Sequence, residues 1–279
     1  IMENSQIHTP IIPIEQNFYN TDTGKIVSWG NHHQDLEIDY KAIAVFCALG
    51  FMLENDTYYS QVKVLKPAAN YKLEGNNEIV SEKKYWDWHY NPLERSFDDT
   101  LEEFSTIFEN FILDATKGKS ILLPMSSGLD SRTLLIPVKD QSNITLSSYE
   151  FEGGFTESEV AKKLSECYNI PLFFQKIQKG YLWNKLDEFQ ELNNCFTDFT
   201  HPRQVAAINQ WKGLGDAILL GHWGDVLFDN QTSLGRLSYD EQVQQLKKKI
   251  IKPGGMELAS DLWKHWSLGS SFESYITDR

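Results

Sequence analysis

The sequence predicts an α/β fold: a doubly wound, mainly parallel sheet preceded by a small α+β segment. Three observations lead there. Beyond residue 119, apolar strand-like runs at 120–125, 144–149, 171–176 and 217–221 alternate with helix-like stretches at 129–138, 156–168 and 203–213. That alternation builds parallel sheets covered by helices on both faces. The first run leads into a polar turn and then a helix, Ser120–Arg132 (SILLPMSSGLDSR). The last, Ala217–Leu220, leads into a glycine- and aspartate-bearing loop, Gly221–Phe228 (GHWGDVLF). In such sheets ligands sit outside the carboxyl ends of the strands, near the point where strand order reverses.

The elements before this region are shorter. Residues 1–30 are polar and irregular, with Pro10, Pro13 and a turn signal at Asn20–Gly24. Asp39–Phe51 (DYKAIAVFCALGF) reads as a compact apolar helix, with Asp39 as N-cap and Gly50 near its end. Asn70–Leu73 and Glu78–Ser81 alternate across Gly75-Asn76-Asn77, which predicts a β-hairpin. The aromatic run Tyr85–Tyr90 reads as a plug between core layers in preference to a base-stacking surface. Ser96–Thr116 is the longest predicted helix. Ser96 or Asp98 caps it, and Phe97, Leu101, Phe104, Ile107, Phe108, Phe111 and Ile112 share one face. Beyond residue 228 the pattern turns helical, at Tyr239–Ile251 and Gly255–His265. Pro253-Gly254-Gly255 separates them, and Lys247-Lys248-Lys249, near the end of the first, reads as a solvated helix end in preference to a phosphate grip.

Composition narrows the function classes. A hydrophobic content of 41% with 13% aromatics suits a globular chain with a substantial core. No apolar run approaches the roughly 18 residues that span a bilayer, and the first residues lack a secretory pattern. Cys47, Cys167 and Cys195 are odd in number and lack metal-ligand spacing, as suits a reducing compartment. A cytoplasmic protein without membrane or nucleic-acid partners is expected, because a net charge of −13 disfavours polyanionic surfaces. ATP needs only a local electropositive loop and a metal ion.

The first loop has the chemistry of a phosphate cradle. A strand, a tight polar turn and a helix start direct backbone N–H groups at one spot. Ser126, Ser127 and Ser131 add hydroxyl donors, and Gly128 allows close backbone approach and positive φ if the turn needs it. No Gly-Lys-Ser/Thr follows, so this is not a Walker A loop. Ser126–Ser131 resembles the SGGxDS loop of the ATP pyrophosphatase (PP-loop) enzymes, in the variant of the asparagine synthetase family, with Ser127 in place of the first glycine. Gly221–Phe228 is similar to that family's second signature, Ser-Gly-Glu-Gly-Ala-Asp-Glu-Leu-Phe, through Gly221, Asp225, Leu227 and Phe228.

This resemblance implies an adenine nucleotide alpha-hydrolase-like synthetase domain over residues 91–279, incomplete at its C-terminus. ATP would be held by Ser126, Ser127, Gly128, Asp130, Ser131, Arg132 and Gly221. Asp130 and Asp225 would bind Mg²⁺, and Asp225 and His222 would be catalytic. Two carboxylates with phosphate oxygens and waters make an oxygen-rich site that suits Mg²⁺. His222 replaces the family's first Glu, as in lasso-peptide cyclases, and Val226 its second. His222 is read as the base that deprotonates an incoming amine, or else as a loop cap. Glu157 or Glu159 is read as a helix-dipole partner, Pro202 as a first-turn proline, and His201 either as a cap or as a residue that reaches the site.

Residues 1–90 resemble the tail of the family's glutaminase domain, through Gly50-Phe51, Asp56-Thr57-Tyr58, Leu65-Lys66-Pro67-Ala68 and Tyr85-Trp86. No cysteine occupies a nucleophile's position, so no glutaminase activity is expected. The implied reaction is ATP-dependent amide formation from a small-molecule or peptide carboxylate and an amine, through an acyl-adenylate with pyrophosphate release. The family's transition-state lysine lies in an extension that nothing here matches. A catalytically impaired nucleotide-binding module is therefore one alternative. Another is a different PP-loop ATPase, such as a tRNA-modifying enzyme. The sequence leaves the oligomeric state undetermined.

Overall fold

A computed structural model describes residues 5–12, 16–29, 35–89, 93–154, 158–196, 203–222, 224 and 237–279. The chain divides into two compact units. One comprises residues 1–91, 191–198 and 233–279; the other comprises residues 92–190 and 199–232.

The second unit contains the parallel sheet. Its strands are β7 (Ile121–Pro124), β8 (Ile144–Phe151), β9 (Leu172–Ile177) and β10 (Ala217–Ile218), in the order β10-β7-β8-β9. All three pairings are parallel. Successive side chains of a strand point to opposite faces, and β7 shows it. Ile121 and Leu123 pack with Ile112, Leu134, Leu146 and Ala161, whereas Leu122 packs with Ala207 and Trp211. Helices α2 (Phe97–Thr116), α3 (Leu129–Leu135) and α4 (Ser158–Tyr168) thus serve one face, and α6 (Val205–Trp211) serves the other. Helices thus lie on both faces of the parallel sheet, and its four strands overlap the predicted stretches, although β10 takes up only two of the five residues predicted for it. Helix α5 (Leu186–Asn193), which no periodicity announced, leads from this unit into residues 191–198.

Strand β10 lies on the far side of β7 from β8, so strand order reverses between β7 and β10. The start of β10 is latched to the start of β7. Both the amide and the hydroxyl of Ser120 donate to the Asp216 carboxylate, at 3.0 and 2.6 Å, and the Asp216 amide returns a bond to Ser120 Oγ. A Cβ on Gly215 would lie 2.9 Å from the Leu122 nitrogen, so only glycine admits this approach.

Helix α2 is capped by Ser96, whose hydroxyl accepts from the Asp99 amide. Its apolar face is not covered as a whole. Ile112 is buried and Phe108 packs beside it, but Phe97, Ile107 and Phe111 are 77%, 60% and 69% exposed.

The first unit holds two antiparallel sheets. One has the order β1-β5-β6, from β1 (Ser5–His8), β5 (Ala69–Glu74) and β6 (Glu78–Lys84). The other has the order β3-β2-β4, from β2 (Phe18–Asn20), β3 (Ile26–Val27) and β4 (Val62–Val64). The predicted hairpin is β5–β6, turning through Gly75 and Asn77 at positive φ. Helix α1 (Tyr40–Leu49) is capped as expected: Asp39 accepts from the Ala42 amide, and Gly50 ends it in the left-handed conformation. It packs on α8 (Gly255–His265) and α9 (Phe272–Asp278), which follow α7 (Tyr239–Ile250). A Cβ on Gly255 would sit 2.5 Å from the Ala48 carbonyl oxygen. Lys247 is largely buried and donates to the Thr277 hydroxyl, so this member of the lysine run is not the solvated group expected.

The aromatic run is not a core plug. Trp88 is 68% exposed and Tyr85 is exposed, because both follow β6 at the edge of its sheet. Tyr85 donates to the Thr9 carbonyl and stacks on His8, and Trp86 meets Trp88 edge to face. Tyr90 lies outside the described residues.

Candidate active site

The loop after β7 closes on itself. The Ser126 amide donates to Ser131 Oγ at 3.1 Å, the two hydroxyls are 3.1 Å apart, and the Gly128 amide donates to Ser126 Oγ at 3.2 Å. Gly128 is extended (φ −72°, ψ 158°), so the turn does not call for positive φ. Its small size matters more, since a Cβ there would lie 3.3 Å from Ser126 Oγ. Asp130 stands in the first turn of α3.

The loop after β10 lies directly on that turn. A Cβ on Gly221 would be 3.1 Å from the backbone carbon of Asp130 and from the Ser131 amide nitrogen. A Cβ on Gly224 would be 2.6 Å from the Asp130 carboxylate. Two segments far apart in sequence thus converge on one carboxylate at the strand-order reversal.

A cleft of about 420 Å³ opens there, a volume suited to a small-molecule ligand. Ser126, Gly128, Asp130 and Ser131 line it from the first loop, and Gly221 and His222 from the second. Ser127 and Arg132 are exposed and do not line it; Arg132 instead donates from Nε to the Gly128 carbonyl. Asp225, with Val226, Leu227 and Phe228, lies outside the described residues, as do Glu157, His201 and Pro202.

The rest of the lining escaped the sequence reading. The end of β8, Ser147–Phe151, forms the floor, and Arg203 and Gln204 lie just before α6. Their signal was positional: in a parallel sheet the end of β8 must lie beside that of β7. Glu150 is occupied at the start of α4, where it accepts from the Ser158 amide and hydroxyl. Ser147 Oγ is fully buried and has no hydrogen-bond partner among the described residues. Gln175 Oε1 and Trp211 Nε1 share that condition. Such atoms are rare in folded proteins; of these three residues, Ser147 lines the cleft and the other two do not.

In the other unit, burial pushes the Cys47 thiol pKa up, the opposite of what activates a nucleophile. Among the described residues, no three His, Cys, Asp or Glu side chains form a group that could hold a metal ion, and no helix is long and apolar enough to cross a membrane.

No protein-family model matches this chain, and no curated protein matches it in sequence. Among solved structures, it is similar to the glutamine-dependent NAD+ synthetase of Acinetobacter baumannii in complex with ADP. The TM-score is 0.33 and the identity 10%, over 87% of this chain and 52% of that one. The chain therefore spans about half the length of that protein.

Proposed function

We propose that this chain is an ATP-dependent carbon–nitrogen ligase of the asparagine synthetase-like kind. It would activate a carboxylate as an acyl-adenylate, release pyrophosphate, and pass the acyl group to an amine with release of AMP. One observation carries the reading: the two loops meet where strand order reverses, with Gly221 and Gly224 packed on Asp130. That is where open α/β sheets bind their ligands.

In this reading the first loop holds the triphosphate through Ser126 and Ser131. Carboxylate and hydroxyl oxygens are the hard donors that Mg²⁺ prefers, so the group fits the residues present. Asp130 and Asp225 would hold it, and bound Mg²⁺ would neutralise charge on the departing pyrophosphate. His222, exposed at the rim of the cleft, takes the proton that the amine loses as it attacks. The floor formed by β8 shields the reacting atoms from one side.

Titration calorimetry with MgATP tests the assignment. The wild-type chain should bind, and Asp130→Ala should abolish binding while keeping its circular dichroism and melting temperature. Unchanged affinity in the variant would remove Asp130 from the site. Binding without pyrophosphate release, across mixtures of carboxylates and amines, would reduce the protein to a nucleotide-binding module.

A further inference from the structure

The cleft contains a cation that the sequence reading did not single out. Of the described residues lining it, Asp130 and Glu150 are carboxylates and Arg203 is the one fixed cation. Arg132 is adjacent to the loop in sequence, but it turns its Nε to the Gly128 carbonyl and does not line the cleft. Part of the loop's donor capacity is also taken up internally, because the amides of Ser126 and Gly128 both donate to serine hydroxyls of the loop. A polyanion entering this space meets two carboxylates and a partly engaged loop. Beyond a bound Mg²⁺, a cation in the lining would stabilise it further.

The topology says from which side that charge comes. Gln175 Nε2 donates to the Ala206 carbonyl, so the start of α6 sits over β9. Strand β8 separates β9 from β7, which puts the start of α6 about two strand spacings, roughly 10 Å, from β7, before the helix packs on Leu122. Arg203, two residues before α6, lines the same cleft as the loop. Its planar fork of donors matches phosphate oxygens.

We propose that Arg203 is a phosphate-binding residue of this cleft, donating to the phosphates of a bound nucleoside triphosphate from the side opposite the Ser126–Ser131 loop. The inference rests on the nucleotide-site reading above, and assigns a phosphate contact to the fixed cation among the described lining residues.

The test is calorimetry on the full chain with MgATP and, separately, with adenosine, for wild type, Arg203→Ala, Arg203→Gln and Arg203→Lys. Loss of a hydrogen bond to a charged group should weaken ATP binding about tenfold or more in the alanine and glutamine variants. Lysine should recover part of the loss, and adenosine affinity should not move. Glutamine retains a long polar side chain, so it carries the test if the alanine variant fails to fold. ATP binding by wild type and Arg203→Gln with equal affinity would overturn the role of Arg203 alone. Equal loss of ATP and adenosine binding would also overturn it, by placing the residue at the base or in the fold. A wild-type chain that binds no ATP would instead overturn the nucleotide-site reading, and this inference with it.

Discussion

Asp130 illustrates how much of the candidate site depends on residues with no side chain. Its carboxylate is fixed from above by Gly224, where a Cβ would intrude to 2.6 Å. Gly224→Ala must displace either the carboxylate or the second loop. Groups that position a metal ligand typically matter about 10–100-fold in metal affinity. Magnesium-dependent ATP binding, titrated against Mg²⁺ concentration, should weaken by that order, with the melting temperature nearly unchanged. An unchanged magnesium dependence would show that Asp130 is not a ligand. Arg132 and Arg203 make the complementary point. The residue close in sequence does not line the cleft, and the one that does is 71 residues further along the chain, just before α6.

At the scale of elements, two contacts fix neighbours whose own sequences could not. Strand β10 is very short, so its alignment with β7 depends on the Ser120–Asp216 latch. The Ser120 hydroxyl, then its amide, hold the Asp216 carboxyl below its usual pKa range. A carboxyl depressed on folding stabilises the protein above its unfolded value, near 3.9, and that contribution fades as pH falls through the lower folded value. Unfolding midpoints followed below about pH 4 should therefore fall less steeply for Asp216→Asn than for wild type. Parallel acid profiles would mean that the latch adds nothing. Helix α8 approaches α1 through Gly255. Gly255→Ala places a methyl against the Ala48 backbone, and forced overpacking of this kind costs about 1–3 kcal/mol. Denaturant titration of the variant should show that loss; wild-type stability would mean that the helices separate freely.

At the scale of the molecule, α2 is the element whose environment is least like its sequence. Its seven apolar residues share one face, yet most of that face is exposed. Exposed apolar area of this kind promotes association. Phe111, 69% exposed, should be replaceable by glutamine at a cost within about 0.5 kcal/mol, with solubility improved. Solubility limits and denaturant titration of Phe111→Gln measure both. A loss near 3 kcal/mol, the scale of a buried aromatic, would show that the face is covered in the folded protein. The other contrast at this scale is where the C-terminal helices pack. They share a core with α1, joining Ala48 and Leu49 to Ala259, Trp263 and Phe272.

The sequence by itself determined what is local. Asp39, Ser96 and Gly50 set helix ends because each satisfies or terminates backbone hydrogen bonding within a few residues. Alternation and periodicity placed the four parallel strands and the helices between them, and the strand-to-helix turn marked Ser126–Ser131. Only the tertiary structure decided which residues meet. It put β10 beside β7, brought Gly221 and Gly224 onto Asp130, and added Ser147 and Arg203 to the cleft while leaving Arg132 outside. It also left Phe97 and Phe111 in solvent and buried Lys247. The reason is physical. Periodicity states that a face is apolar, but which surface covers it, and which polar groups share a cavity, depends on packing between segments far apart in the chain.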